Sequence, residues 1–367
     1  MGSNSIINKL TKMFNETDVI KFADKDNFND VVSWIPSGVP SLDFTMGTLG
    51  YPPGVVEIAG KSRSGKTTLG LTAIKYFQKQ HREDGVAIIL SSENRDNKQY
   101  AKKMGVDVDN VIIIKSKYVE DLFFKLQLNI NYVKKIWADE KREGKPPIVI
   151  MWDSVGATLS RAEFETFTEN VKKMEKSLEK GTKFEIDHAQ VASFAKNAKM
   201  MVKAILGNLY EDNITLIAIN HTGDKIGNMQ KGRKSYGGEW VEYLPTIRLE
   251  TLLIKHISLD DVEVAQITKI KIVKNDFGTR EPAEIEILLG VGVVLSESDI
   301  NFAVENGIIT KEGTKFSFMG GKLTWKSPRT FYQLYNDGNK LLDILYSKIQ
   351  KIRHESVRNS KKVMNDE

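Results

Sequence analysis

The sequence predicts an α/β fold: a mostly parallel twisted sheet with helices on both faces, an antiparallel extension, an N-terminal helix and a small α+β C-terminal domain. Three observations predict it. A short apolar, β-branched run, Val55–Ala59, leads into the glycine-rich stretch Gly60–Thr67, and Leu69, Leu71, Ile74 and Phe77 then recur at helical spacing. Further buried-strand runs, Val86–Leu90, Val111–Ile114, Ile148–Trp152 and Ile214–Asn220, alternate with helical segments, the pattern of a parallel sheet covered on both faces. The run Ile148–Trp152 ends directly on Asp153, and a parallel sheet presents its functional groups at the carboxyl ends of its strands.

The stretch GKSRSGKT fits the phosphate-loop pattern: Gly60, then Lys61, Ser62, Arg63 and Ser64, then Gly65, Lys66 and Thr67, with Thr68 continuing the helix. Glycines let backbone N–H groups curl around phosphate oxygens, and a helix N-terminus adds partial positive charge. Lys66 is placed to reach the β- and γ-phosphates, and the Thr67 hydroxyl to ligate Mg²⁺. A nucleoside triphosphate is the implied ligand. Asp153, leaving a buried strand downstream of that loop, is the expected carboxylate of the metal shell. Glu93, at the end of the strand Val86–Leu90, is placed either to orient an attacking water or to cap the next helix; spacing alone leaves both open.

Composition bounds the rest. Of 367 residues 41% are hydrophobic and 28% charged, enough for one large domain with small appendages. There are no cysteines, which excludes disulfides, thiol catalysis and cysteine-ligated zinc. The five histidines are scattered and suggest no metal cluster. No apolar run reaches membrane-spanning length and no signal-peptide core is present, so a cytoplasmic location is expected by elimination. The net charge of +5 permits a nucleic-acid partner without requiring one.

Along the chain, residues 1–36 carry Ile6, Ile7, Leu10, Met13 and Phe14 as one greasy helical face, suited to packing on its own domain or on a neighbouring subunit. Leu122–Trp137 reads as a long helix. Arg161–Asp187 is densely charged and reads as a mobile loop or a solvated helix. Ala189–Tyr210 reads as a helix with Lys196, Lys199 and Lys203 on one face; for a lone helix these are a solvated face. Thr222–Glu239 is long, glycine-rich and cationic through Lys225, Lys231, Arg233 and Lys234, which suits a polyanion that orders it on binding. Ile247–Leu253, Glu263–Lys274 and Ala283–Leu289 read as strands extending the sheet antiparallel. Residues 291–353 form the small lobe, with a helix at Asp299–Asn306, a hairpin at Phe316–Leu323 and a helix at Leu341–Ile352; residues 354–367 read as a disordered tail.

Several of these stretches together resemble RecA-type recombinases, over about residues 37–341. SGVPSLD (37–43) is similar to the family's opening motif. Glu93 followed by Tyr100 and KKMGVDVDNV resembles the segment of the catalytic glutamate and the adenine-stacking tyrosine. GNLYEDNITLIAINH, the glycine pair followed after nine residues by RLE, KIVKNDFG and ENGIITKEGTKFSFMGGKL resemble the strand to the second DNA-binding loop, the segments after it and the C-terminal domain. His221, in place of a bacterial glutamine, resembles the phage UvsX-like branch.

The resemblance implies a RecA-type core at residues 37–290, with DNA-binding loops near 160–188 and 222–239, and an oligomerisation segment at 1–36. It implies a DNA-dependent ATPase using ATP and Mg²⁺, which forms a helical filament on single-stranded DNA and exchanges strands with homologous duplex DNA. A single-strand-binding protein, a loading mediator and a host-cytoplasmic setting come with it. Lys66 and Thr67 would hold phosphates and metal, Asp153 the metal shell, Glu93 the water, Tyr100 the adenine, and His221 would sense the γ-phosphate. Lys274 matches a lysine reaching the next subunit's ATP. Lys196, Lys199 and Lys203 fall on the helix face that contacts single strands, and Gly237 and Gly238 match glycines that meet DNA phosphates. Three positions depart from the pattern: Asp276 stands where many bacterial members have a second lysine, the first loop is longer, and His221 puts a titratable ring where an amide stands. A hexameric replicative helicase of the same core fold, or a mediator paralogue that exchanges no strands, shares much of this signature.

Overall fold

In the computed structural model the described residues are 33–92, 98–180, 182–183, 193–224 and 233–366. The expected N-terminal helix and Glu93 lie outside them, as do Lys225, Lys231 and residues 184–192.

A short helix α1 (Pro40–Met46) opens the described chain, with Pro40 in its first turn and Gly47 closing it in the left-handed conformation. Strand β1 (Gly54–Gly60) is buried along its whole length and feeds helix α2 (Lys66–His81). Then follow β2 (Val86–Ser91), α3 (Lys98–Lys103), β3 (Val111–Lys115), α4 (Val119–Asp139), β4 (Ile148–Asp153), α5 (Arg161–Lys180), α6 (Ser193–Glu211) and β5 (Thr215–Asp224). The dense charge of residues 161–180 therefore sits on a helix. A short strand β6 (Arg233–Ser235) pairs antiparallel with the end of β5, so the two ends of the glycine-rich segment form a hairpin. Helix α7 (Trp240–Tyr243) leads to β7 (Ile247–Leu259), β8 (Val262–Asn275), β9 (Ala283–Leu288) and β10 (Gly292–Val294).

The sheet runs β10-β9-β8-β7-β1-β5-β4-β2-β3. β7 pairs parallel with β1, and the antiparallel part begins only at β8. The expectation that all three late strands extend the sheet antiparallel is thus corrected for the first of them. The chain reaches β7 through α7, which returns it to the amino end of β1, whereas β8 follows through a tight turn at Asp260 and Asp261.

Both faces are packed. On one, Leu69, Ile74 and Phe77 of α2 meet Val56, Ile58 and Ile217. On the other, Leu122, Phe123 and Leu126 of α4 and Val202 and Ile205 of α6 meet Val55, Ile150 and Leu216. Each such side chain contributes on the order of 1.5–3 kcal/mol on burial. Alternate β1 residues serve opposite layers, as a pleated strand requires.

The C-terminal lobe joins helices α8 (Glu297–Glu305), α9 (Pro328–Asn336) and α10 (Leu341–Asp366) to a small sheet, β11 (Ile309–Glu312), β12 (Lys315–Phe318) and β13 (Leu323–Trp325). Its core includes Ala265 and Leu288 of the large sheet. Residues 354–366, expected as a disordered tail, instead continue α10. Leu342, Leu345, Tyr346, Ile349, Arg353 and Val357 recur every three or four residues and are buried, so the docking face runs on past Ile352. The buried Arg353 pairs with Asp299 at 3.3 Å and lies 4.2 Å over the Phe302 ring, and His354 meets the buried Asp43 at 3.3 Å. Polar composition concealed a helix whose buried groups include an ion pair.

Candidate nucleotide site and nucleic-acid face

Register brings the carboxyl ends of four strands together. Gly60 of β1 pairs with His221 of β5, Asp153 of β4 pairs with Ile219 of β5, and Ser91 of β2 pairs with Asp153. The phosphate loop thus lies between the strand carrying Asp153 and the antiparallel part of the sheet.

The loop is held by its own hydrogen bonds. Ser64 Oγ lies 2.7 Å from both the Lys61 carbonyl oxygen and Thr251 Oγ1. The buried Lys66 ammonium donates to the Lys61 carbonyl oxygen at 2.6 Å. Gly65, at φ +89°, is required twice: a side chain would be strained there, and its Cβ would stand 2.4 Å from Ile287 Cδ1. Thr67 Oγ1 donates to Asp153 Oδ2 at 3.0 Å. A hydroxyl and a carboxylate side by side are hard oxygen donors, the set Mg²⁺ takes when phosphate oxygens complete its shell, so these residues suit that ion. Among the described residues no cluster of three or more His, Asp or Glu could hold a metal by protein ligands alone.

Ser62, Arg63, Gly65, Lys66, Thr67 and Thr68 line a pocket of about 530 Å³ whose other walls include Tyr100, Leu253, His256, Glu263, Gln266 and Ile287. The Tyr100 hydroxyl lies 2.8 Å from Thr68 Oγ1. Burial pushes the Tyr100 phenol pKa up, partly offset by that hydrogen bond, so the ring offers an uncharged stacking face near neutral pH. His256 and Glu263 pair at 2.6 Å on the wall formed by β7 and β8. Sequence reasoning did not select this wall, because a hairpin residue reveals nothing of what lies beneath it until the strands are paired.

A buried polar chain runs under the site. Glu57, in the middle of the apolar β1, accepts from Arg248 Nε at 2.8 Å and from Asn220 Nδ2 at 2.9 Å. Asn220 Nδ2 also donates to the Tyr236 carbonyl oxygen at 2.7 Å, and Asn220 Oδ1 accepts from the His221 backbone N–H at 2.9 Å. The strand that delivers the phosphate loop is thereby wired to both sides of the glycine-rich hairpin. A carboxylate inside VVEIA was the available signal, since a buried charge demands a partner.

At the hairpin's far end, the Tyr236 N–H donates to the His221 carbonyl oxygen at 3.1 Å. Gly237 and Gly238 follow with φ +104° and +87°, and a Cβ on Gly238 would stand 2.7 Å from Ala195 Cβ of α6. The next residue on that helix is Lys196. Lys196, Lys199 and Lys203 are all exposed, while Ala198, Val202 and Ile205 bury the opposite side. Behind them Trp240 stacks on Trp152 of β4, with centroids 6.1 Å apart and planes 7° from parallel.

Lys274 does not line this chain's own pocket. Lys274 donates to the Pro245 carbonyl oxygen at 2.7 Å and pairs with Asp276 at 3.3 Å; it opposes Arg248, which in turn pairs with Glu57 in the middle of β1. Arg233 and Lys234 lie on β6. Glu93, Lys225 and Lys231 are outside the described residues.

Comparison with known proteins gives this arrangement its family. Residues 3–294 match the RecA N-terminal domain. The chain belongs to the RecA family. It is 30% identical over 323 residues to Protein RecA of Staphylococcus carnosus (strain TM300), covering 87% of this chain and 81% of that protein. The same identity and length relate it to Protein RecA of Chlorobium limicola (strain DSM 245 / NBRC 103803 / 6330), at 87% and 83% coverage. Protein RecA of Nautilia profundicola (strain ATCC BAA-1463 / DSM 18972 / AmH) is 29% identical over 319 residues, at 86% and 81%. Among the described residues no helix is long and apolar enough to cross a membrane.

Proposed function

We propose that this RecA-family chain is an ATP-dependent DNA strand-exchange recombinase of the phage UvsX-like branch. It forms helical filaments on single-stranded DNA and pairs that strand with homologous duplex, hydrolysing ATP to ADP and phosphate when DNA is bound. One observation carries the reading: the sheet edge that holds Thr67 against Asp153 at 3.0 Å also holds the His221–Gly238 hairpin, packed on a helix with three exposed lysines. A nucleotide site and a polyanion face on one edge suit a DNA-dependent ATPase.

In this reading Lys66 leaves the Lys61 carbonyl for the β- and γ-phosphates, and the Tyr100 ring lies against adenine. Thr67 and Asp153 would hold Mg²⁺, which would supply positive charge against the triphosphate. Glu93 orients the attacking water. His221 senses the γ-phosphate, and Asn220 beside it passes the change to the Tyr236 backbone. Lys196, Lys199, Lys203, Lys225, Lys231, Arg233 and Lys234, with the backbone of Gly237 and Gly238, take the DNA phosphates. Lys274, remote from its own phosphate loop, is free in position to face a neighbouring subunit's ATP.

Self-association has its own support. The exposed face of α4 carries Phe124, Leu128, Tyr132 and Ile136 at four-residue spacing, an apolar stripe suited to an adjacent subunit's segment 1–36. A single-strand-binding protein and a loading mediator would be accessory partners, in the cytoplasm of a host. Negative-stain microscopy with single-stranded DNA and an ATP analogue tests the proposal. Helical filaments are expected; closed rings would point to a helicase-type motor, and bound nucleotide and DNA without assembly to a mediator.

A further inference from the structure

A cleft of about 170 Å³ lies between α2 and the C-terminal lobe, about two and a half turns along α2 from Lys66. Lys75 and Tyr76 of α2, Lys103 at the end of α3, and Tyr335, Asn339 and Tyr346 of the lobe line it. None of these residues lines the pocket of the phosphate loop.

In this cleft the acceptors are spent and the donors are not. Asn339 Oδ1 accepts from the Leu341 N–H at 3.0 Å, which leaves the amide NH₂ to donate. Tyr335 Oη accepts from the Leu295 N–H at 2.9 Å, which leaves its own O–H to donate. Tyr346 is only 5% exposed and stacks on Tyr76 at 4.0 Å, and its buried hydroxyl has no hydrogen-bond partner among the described residues. A buried donor left bare is costly, so its position calls for an acceptor. Lys75 is half-buried, its ammonium lies 5.5 Å from the centre of the Tyr76 ring, and it makes no hydrogen bond or ion pair among the described residues. Burial pushes the Lys75 pKa down, Lys79 adds to that effect and Asp343 opposes it. Asp343, the carboxylate at the cleft, is itself paired with Lys79 at 2.7 Å.

We propose that this cleft is a binding site for a small oxyanion, and that inorganic phosphate fits it. Lys75, Tyr335, Asn339 and Tyr346 offer four unspent donors, and a phosphate ion presents four oxygens that accept. The ammonium groups of Lys75 and Lys103 supply the charge, and a charge-assisted hydrogen bond from Lys75 is stronger than a neutral one. A cation or a donor-rich ligand would set donor against donor. Bound here, the anion joins α2 to α9 and α10 through groups that otherwise have no partner. Phosphate would thereby set how firmly the C-terminal lobe is held on the helix that carries Lys66.

The test uses neither DNA nor ATP hydrolysis, so its failure would leave the recombinase reading untouched. Full-length Lys66→Ala protein lacks the main cation of the phosphate loop, and phosphate is titrated into it by calorimetry at fixed ionic strength. One saturable site per chain is expected. Adding Lys75→Met, which keeps an apolar stem and drops the charge, should weaken binding at least tenfold. Adding Tyr346→Phe instead should weaken it several-fold. Thermal stability of that variant without phosphate should be unchanged or higher, because the hydroxyl has no partner to lose. Circular dichroism checks that both variants are folded. Absence of saturable binding to Lys66→Ala protein, or full affinity in either added variant, would overturn the proposal.

Discussion

Thr67 and Asp153 are joined by a hydrogen bond of 3.0 Å across 86 residues of sequence, from the first turn of α2 to the end of β4. Two adjacent parallel strands, β4 and β5, and the pairing of β5 with β1 bring them together. The contact sets hydroxyl and carboxylate at the distance one cation spans, before any phosphate enters.

Removing that pair's neighbour should silence the chemistry. Lys66→Ala is expected to abolish DNA-stimulated ATP hydrolysis, and Asp153→Asn to lower it by at least a hundredfold with the fold intact. Glu93→Gln should retain ATP binding with almost no turnover. Phosphate release with and without single-stranded DNA, beside nucleotide binding by fluorescence, checks all three; wild-type turnover in Glu93→Gln would place water activation elsewhere.

The lysine face should report itself through salt. Lys199→Ala and Lys203→Ala are each expected to weaken single-stranded DNA binding at every sequence. Each should also reduce the slope of log K against log salt by about 0.7. Binding titrations at four ionic strengths measure this, and an unchanged slope would remove these side chains from the interface.

Gly238 couples the hairpin to α6 through lack of a side chain. Gly238→Ala must adopt φ +87° and place a methyl 2.7 Å from Ala195 Cβ. About 1 kcal/mol or more of stability should be lost. DNA affinity should fall well beyond what ATP affinity does, as paired titrations would show.

The Glu57–Arg248 pair is buried, with the Glu57 side chain only 2% exposed. Arg248→Met strands that carboxylate and should cost about 3–5 kcal/mol in urea unfolding. The double variant Glu57→Met/Arg248→Met should recover much of that loss. It should nonetheless weaken the coupling between ATP and DNA binding, because Asn220 loses the acceptor that holds it towards Tyr236.

Much of the fold was legible because strong local signals and the tertiary packing agree. The run Val55–Ala59, the glycines at 60 and 65 and the periodic Leu69, Ile74 and Phe77 specify strand, loop and helix with little help from elsewhere. The tail was misread for the opposite reason: among residues 353–359 only Arg353 and Val357 are buried, and Arg353 is a charge whose burial depends on Asp299 and Phe302. Helix α5 was left between loop and helix, since among the described residues none of its side chains is buried.

By itself the sequence determined the α/β core, the phosphate loop with Lys66 and Thr67, the strand end at Asp153 and the lysine spacing on α6. These are carried by short-range periodicity and by the chemistry that particular residue types permit. Only the tertiary structure decided that β7 joins β1 in parallel, that Glu57 reaches the hairpin through Asn220, and that His256 and Glu263 wall the pocket. Strand order and register come from pairing between distant segments. That pairing is fixed by which apolar faces can be buried together, and no local stretch of residues contains it.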